Sequence, residues 1–223
     1  MKSNFSYKDI YVEDGKKVLE MNILPEKYCN FDCVFCPIGR SKNKIDEPVS
    51  FEDYSSSIEK TQPDLVFINS KGEALVNDKV SQIIDFIKSK GLKVRLLSNG
   101  YILSKDEYIN IANKCDEVIG EIKAITEEDF KKLQRPIEGY TLENYIKNMV
   151  SFNKQYNGKF IFEITIIKKY NDDEESVQKI KDVIKRINPD KIEIVRIDDE
   201  RMKKTMWVDD KKFEEIKREL MSI

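Results

Sequence analysis

Three cysteines fall within eight positions of one another, in Cys29-Asn30-Phe31-Asp32-Cys33-Val34-Phe35-Cys36, and a fourth, Cys115, stands alone. Thiolates are soft ligands that suit iron–sulfur clusters and zinc. Three in one short loop can hold three corners of a [4Fe–4S] cube and leave the fourth iron open to a chelating ligand. The same three together with Cys115 would make a zinc site, although zinc sites usually show paired short spacings. Three unrelated buried thiols are the remaining reading. The 223 residues include no histidine. Ser–His, Cys–His and His–metal chemistry is therefore excluded, and reactivity has to come from Cys, Asp, Glu, Lys, Arg, Tyr or a bound cofactor.

The bulk composition fits a soluble globular protein, with 40% hydrophobic and 36% charged residues. The 39 Lys+Arg nearly cancel the 41 Asp+Glu, which gives no electrostatic reason to expect nucleic acid as the main partner. No apolar run approaches the roughly 20 residues that span a bilayer. The polar N-terminus, MKSNFSYKDIYVEDGKK, lacks the apolar middle of a signal peptide. The expectation is a cytoplasmic protein with no membrane partner. It reads as a single domain over 1–223, with a core at about 18–200 and a C-terminal helix at about 209–221.

Positioning these cysteines falls to strand and helix patterns in alternation. Strands are expected at Val18–Leu24, Asp64–Asn69, Lys93–Ser98, Asp116–Ile122, Lys159–Ile167 and Lys191–Ile197. Helices are expected from Ser50 to about Lys60, at Asp78–Lys90 before Gly91, and from a Ser104 cap to about Asn113. Further helices start at Thr126 and cover Thr141–Tyr156, Asp173–Ile187 and Asp209–Met221, while Asp198–Lys204 reads as a solvated loop. Such alternation implies βαβ units with right-handed crossovers. The expected fold is α/β, a partial TIM barrel of about six parallel strands with outer helices. Ligand sites of such folds lie at the C-terminal strand ends. The cysteine loop, Gly72-Glu73, Ser98-Asn99-Gly100 and Lys123 all follow strand ends.

CxxxCxxC with an aromatic residue before the last cysteine, here Phe35, resembles the signature of the radical S-adenosylmethionine (SAM) superfamily. The flanking Ile23-Leu24-Pro25-Glu26-Lys27 and Gly39-Arg40 resemble the wyosine-biosynthesis-like iron–sulfur oxidoreductases. So do Gly72-Glu73, Asn99-Gly100, Arg135-Pro136 and Asn171-Asp172. The resemblance runs from about Leu19 to the C-terminus. It implies a [4Fe–4S] cluster on Cys29, Cys33 and Cys36, with SAM chelating the open iron. It further implies reductive cleavage of SAM to a 5′-deoxyadenosyl radical that abstracts hydrogen, with a reductant such as flavodoxin or ferredoxin. The wyosine-forming enzymes bring a second cluster on extra N-terminal cysteines, which this chain lacks, and this argues against that reaction. The superfamily's Gly-Gly-Glu turn is Lys71-Gly72-Glu73 here. Pyruvate formate-lyase activating enzymes are similar in size, and have a lysine where Lys123 stands.

The resemblance and the strand ends together suggest the remaining contacts. Gly72 and Glu73 are expected at the SAM amino group, Lys123 at its carboxylate, and Ser98 and Asn99 at the ribose. Glu163, charged within an apolar strand, is expected to face inward toward SAM. Arg196 and Arg40 are candidates for anions, Val195 and Ile166 for the adenine, and Cys115 reads as a buried thiol. Three functions compete. One is a radical SAM enzyme acting through a laterally open barrel on a protein, peptide or RNA, favoured because the chain ends soon after the sixth strand. The others are a radical SAM enzyme on a small metabolite, and a non-catalytic iron–sulfur or zinc module.

Overall fold

The computed structural model describes residues 10–41, 43–49, 62–197 and 200–223. Among them, one sheet carries seven strands in the order β1-β2-β5-β6-β7-β8-β9. These are β1 (Tyr11–Glu13), β2 (Lys16–Met21), β5 (Leu65–Ile68), β6 (Lys93–Ser98), β7 (Glu117–Ile122), β8 (Lys159–Ile166) and β9 (Lys191–Arg196). From β2 to β9 every pairing is parallel, the curled half-barrel expected of the alternating pattern. The antiparallel edge strand β1 was not anticipated. It pairs with β2 through an Asp14-Gly15 turn whose φ values are 49° and 76°, the geometry that joins two strands in two residues. A short parallel pair, β3 (Tyr28–Cys29) with β4 (Asn43–Lys44), closes the cysteine loop on itself.

Strand alternation divides the sheet into two faces. Val66, Ile68, Val94, Leu96, Val118, Phe160, Phe162, Ile164 and Ile166 are fully buried in one core cluster beneath the outer helices. Those helices are α1 (Val80–Ser89), α2 (Asp106–Ala112), α4 (Leu142–Gln155) and α5 (Glu174–Ile187). Helix α5 shows why such segments form. Asp173 caps it by accepting from Ser176 N at 2.8 Å, and Asn188 ends it at φ 53°. Val177, Ile180, Val183, Ile184 and Ile187 recur at helical spacing along its buried side. α7 (Asp210–Leu220) packs on α5 through Phe213, Ile216 and Leu220. No described helix is long and apolar enough to cross a membrane.

Two expectations need correcting. Ser104 does not cap α2: Lys105 takes the capping position without a side-chain hydrogen bond. The stretch read as a solvated loop contains helix α6 (Glu200–Met206). Met202 and Met206, partly buried, pack against Phe35, Leu133, Ile167 and Ile197, so apolar packing overrides the local charge. The helix expected from Ser50 to Lys60 lies outside the described residues.

After β7, a single turn α3 (Glu127–Asp129) passes into a π-helical segment, Phe130–Gln134, which ends with Arg135 at φ 45°. Thr126 caps this segment, accepting from Asp129 N at 3.1 Å.

Candidate functional site

The C-terminal ends of the strands surround a cavity of about 240 Å³. Cys29, Cys33 and Cys36 all line it, together with Phe35, Gly72, Asn99 and Lys123. Seven of the eleven side chains the sequence nominated for cofactor and metal binding are thus brought together. All four cysteines are free thiols.

The loop that carries the cysteines is held from three sides. The backbone amides on either side of Cys33 donate into the π-helical segment, Val34 N to Leu133 O at 2.8 Å and Asp32 N to Gln134 O at 3.0 Å. The buried Asp32 carboxylate lies 3.7 Å from Lys27 Nζ and 2.9 Å from Arg40 Nε, and accepts from Ser41 N at 2.7 Å. Arg201 of α6 donates to Cys36 O at 2.8 Å. On the β5 side, Gly72 bridges to Tyr28 in parallel register, and Glu73 N donates to Tyr28 O at 2.8 Å.

The donor set fits an iron–sulfur cluster. Burial, then the nearby Glu73, pushes the Cys29 thiol up to about 12, and burial raises Cys33 likewise. Such thiols stay protonated unless a cation bonds the sulfur. Among the described residues, no three Cys, Asp or Glu side chains are gathered for a single metal ion. The three thiols instead share a cavity wall, an arrangement that suits a cluster in which each thiolate takes its own iron. Cys115 precedes β7, at the opposite end of the strands beside Asn157, Gly158 and Lys159. It is buried and cannot complete a zinc site with the loop.

The remaining nominated residues divide. Lys123 is half-buried in the cavity wall, 2.5 Å from Glu121 Oε2. Burial works against its charge, but the Glu121 and Glu163 carboxylates outweigh that and raise its pKa. Asn99 Nδ2 donates to Asn30 Oδ1 at 2.5 Å and lies 3.6 Å from Cys29 Sγ. Glu73 and Ser98 are not on the cavity wall. Glu73 is fully buried, taking bonds from Leu75 N at 3.2 Å, Asn99 N at 2.9 Å and Ser98 Oγ at 3.0 Å. Its carboxylate therefore pins the turn after β5 to the turn after β6, in place of the direct SAM contact expected of it. Ser98 is likewise occupied, donating to Glu73 and accepting from Gly100 N at 3.1 Å.

Arg196 is a correction. Its guanidinium lies 4.0 Å from the Trp207 ring centroid and 4.4 Å from that of Phe213. It also bonds Val208 O at 3.1 Å and Asp210 Oδ1 at 2.6 Å. A flat cation beside aromatic rings serves packing here, and fixes β9 to the start of α7. Ile166 lies in the core beneath the helices. Val195 shares a sheet face with Thr165 and Glu193. Arg40 belongs to a neighbouring basic hollow with Lys44, Lys131 and Arg135.

Glu163 stands one strand beyond the cavity wall, in register between Glu121 of β7 and Glu193 of β9. Burial and then the Glu121 charge raise its carboxyl to about 8, against the partial relief of Lys123. From its ordinary value of 4.5 up to about 8, the folded protein holds a proton that the unfolded chain has released. Stability therefore falls as pH rises through that window. In the cluster-free protein, Glu163→Gln should leave the melting temperature nearly unchanged at pH 4, below the window. At pH 8.5 it should raise it, by about 2–4 °C per kcal/mol relieved. An equal effect at both pH values would show that Glu163 is ionised throughout.

Sequence reasoning missed Glu121, Lys27, Asn69, Ser70 and Gln134, all on the cavity wall. Glu121 carried a signal, since it sits two residues before Lys123 on one strand face. Gln134 carried none, because no sequence pattern marks a π-helical turn.

Known proteins share this fold. A UPF0026 protein of Methanocaldococcus jannaschii is 25% identical over 185 residues, covering 78% of this chain and 58% of that protein. The chain thus spans little more than half of that relative. The structure of TYW1 with a lysine–pyruvate adduct bound superimposes with a TM-score of 0.68 at 15% identity, covering 92% of this chain and 73% of that one. SuiB of Streptococcus suis, bound to its precursor peptide SuiA, gives 0.64 at 14% identity, covering 91% and 46%. The radical SAM superfamily model matches residues 23–194, and the chain belongs to that superfamily, whose cofactors are a [4Fe–4S] cluster and SAM.

Proposed function

We propose that this chain is a radical SAM enzyme in which Cys29, Cys33 and Cys36 hold the cluster and the rest of the cavity receives SAM. The observation that carries this reading is the convergence of three soft, unpaired thiols on one cavity with an amide, a lysine and a close-approach glycine. When bound, the cluster and SAM supply a 5′-deoxyadenosyl radical that abstracts hydrogen from an unactivated carbon. The chain's part is to bind, orient and exclude water. Lys123, held by Glu121, offers its ammonium to the SAM carboxylate. The Gly72 backbone approaches the methionine end, and Asn99 serves the ribose. Phe35, packed on Leu133, Ile167 and Ile197, walls the cavity against solvent. Glu73 and Ser98 hold these turns from behind, and Glu163 acts through Glu121. A low-potential carrier of flavodoxin or ferredoxin type fits as reductant.

The substrate we infer is a protein, peptide or RNA segment. The inner sheet face offers half-buried polar side chains at Arg95, Glu117, Glu121 and Glu193, which a lateral approach can reach. SuiB, of similar fold, is seen with a precursor peptide. The test of the central reading is anaerobic reconstitution with iron and sulfide, then dithionite and SAM. Expected are four irons per chain and 5′-deoxyadenosine, with Cys115→Ala retaining both. A preparation that takes up one zinc and refuses iron would overturn the reading. Four irons with SAM bound but never cleaved, whatever peptides or RNA are supplied, would leave a non-catalytic module.

A further inference from the structure

Gln134 is 1% exposed, lies on the cavity wall, and its Oε1 has no hydrogen-bond partner. A buried acceptor left without a donor is uncommon and calls for an explanation. The Gln134 side chain lies near the Tyr145 hydroxyl, which reaches the carbonyls of Asn99 and Glu121 and so ties together the ends of β6 and β7.

The backbone also positions Gln134. Gln134 O accepts from Asp32 N at 3.0 Å, one residue from Cys33, so the side chain stands beside a cluster ligand. A π-helical turn often marks such a functional position. The residue expected to accept from the SAM amine, Glu73, has both oxygens occupied, and Glu121 is already paired with Lys123. We propose that Gln134 Oε1 accepts a hydrogen bond from the amino group of SAM, which makes Gln134 a SAM-binding residue supplied by the π-helical turn. This rests on the reading of the cavity as the SAM site.

The test is anaerobic titration calorimetry of reconstituted, unreduced protein with SAM and with a SAM analogue lacking the amino group. Gln134→Leu should bind SAM about tenfold more weakly than the native protein, the scale of one hydrogen bond. Gln134→Glu, which keeps an acceptor, should stay within about threefold. The deaminated analogue should bind native protein and Gln134→Leu alike. Unchanged SAM affinity in Gln134→Leu overturns the proposal, as does an equal loss for SAM and analogue. Native protein that holds four irons but binds no SAM overturns the reading of the cavity and the proposal with it. If Gln134→Leu fails to load iron, Gln134→Met, which fills a similar volume without an oxygen acceptor, should weaken SAM but not the analogue, and a Gln134→Met affinity equal to native overturns the proposal.

Discussion

Cys33→Ala should retain its fold and lose its iron. Each clause has a separate cause. The loop around Cys33 is shaped by contacts that do not involve the sulfur, namely the two amides donated to Leu133 O and Gln134 O and the buried Asp32 carboxylate between Lys27, Arg40 and Ser41. Removing one sulfur atom from a half-buried position costs about 1 kcal/mol, the scale of a small truncation. The cluster-free protein should therefore melt within a few degrees of native. On the proposed assignment, binding of the cluster, by contrast, needs all three thiolates. Loss of a group that merely supports a ligand costs 10–100-fold in metal affinity, and loss of the ligand itself should exceed that. Iron per chain after reconstitution and desalting should fall to near background, and 5′-deoxyadenosine formation by more than about 100-fold. Cys115→Ala provides the contrast, with native iron content and a slightly lower melting temperature. Iron retained at four per chain in Cys33→Ala would remove Cys33 from the ligand set.

The same loop marks how far the sequence could be read. Five of the six expected parallel strands match observed strands to within one residue at either end, and Val18–Leu24 is realised as Lys16–Met21. Short apolar runs between capped amphipathic segments have few alternatives in a βαβ fold. The cysteines, Gly72, Asn99, Lys123 and Phe35 were legible because spacing or strand ends announce them. What escaped depended on contacts between distant segments. Glu73 looked like a ligand and is instead a brace, because Ser98 and Asn99 arrive from β6 to consume its oxygens. Arg196 looked like an anion site, but Trp207 and Phe213 fold back over it. α6 was hidden because its charged residues gave no reason to expect Met202 and Met206 to pack on the Phe35 cluster. Gln134 is set in place by a π-helical turn whose register no periodicity records.

Gly72→Ala should be the most damaging single-methyl change in the chain, and for a reason that couples stability to the site. Gly72 has φ 124°, where a side chain is strained whatever its surroundings. An added Cβ would also fall 2.7 Å from the Tyr28 carbonyl carbon and closer still to its oxygen. That carbonyl accepts from Glu73 N at 2.8 Å, so backbone cannot withdraw without breaking the bridge that docks the cysteine strand on the β5 turn. Backbone strain costs roughly 1–3 kcal/mol and overpacking a similar amount, together about 3 kcal/mol or more. For a chain of this size the melting temperature should drop by at least about 6 °C. Gly139→Ala separates the two terms. Its φ is 86° but a Cβ there meets nothing within 4 Å, so it should show only the strain, about 1–3 kcal/mol. The excess in Gly72→Ala measures the contact with Tyr28. Because Tyr28 is followed directly by Cys29, that excess should be accompanied by reduced iron loading, whereas Gly139→Ala should load iron normally. Equal melting temperatures for the two variants would mean that the cysteine strand is not held by this close approach, and that the cluster loop depends instead on its contacts with the π-helical turn.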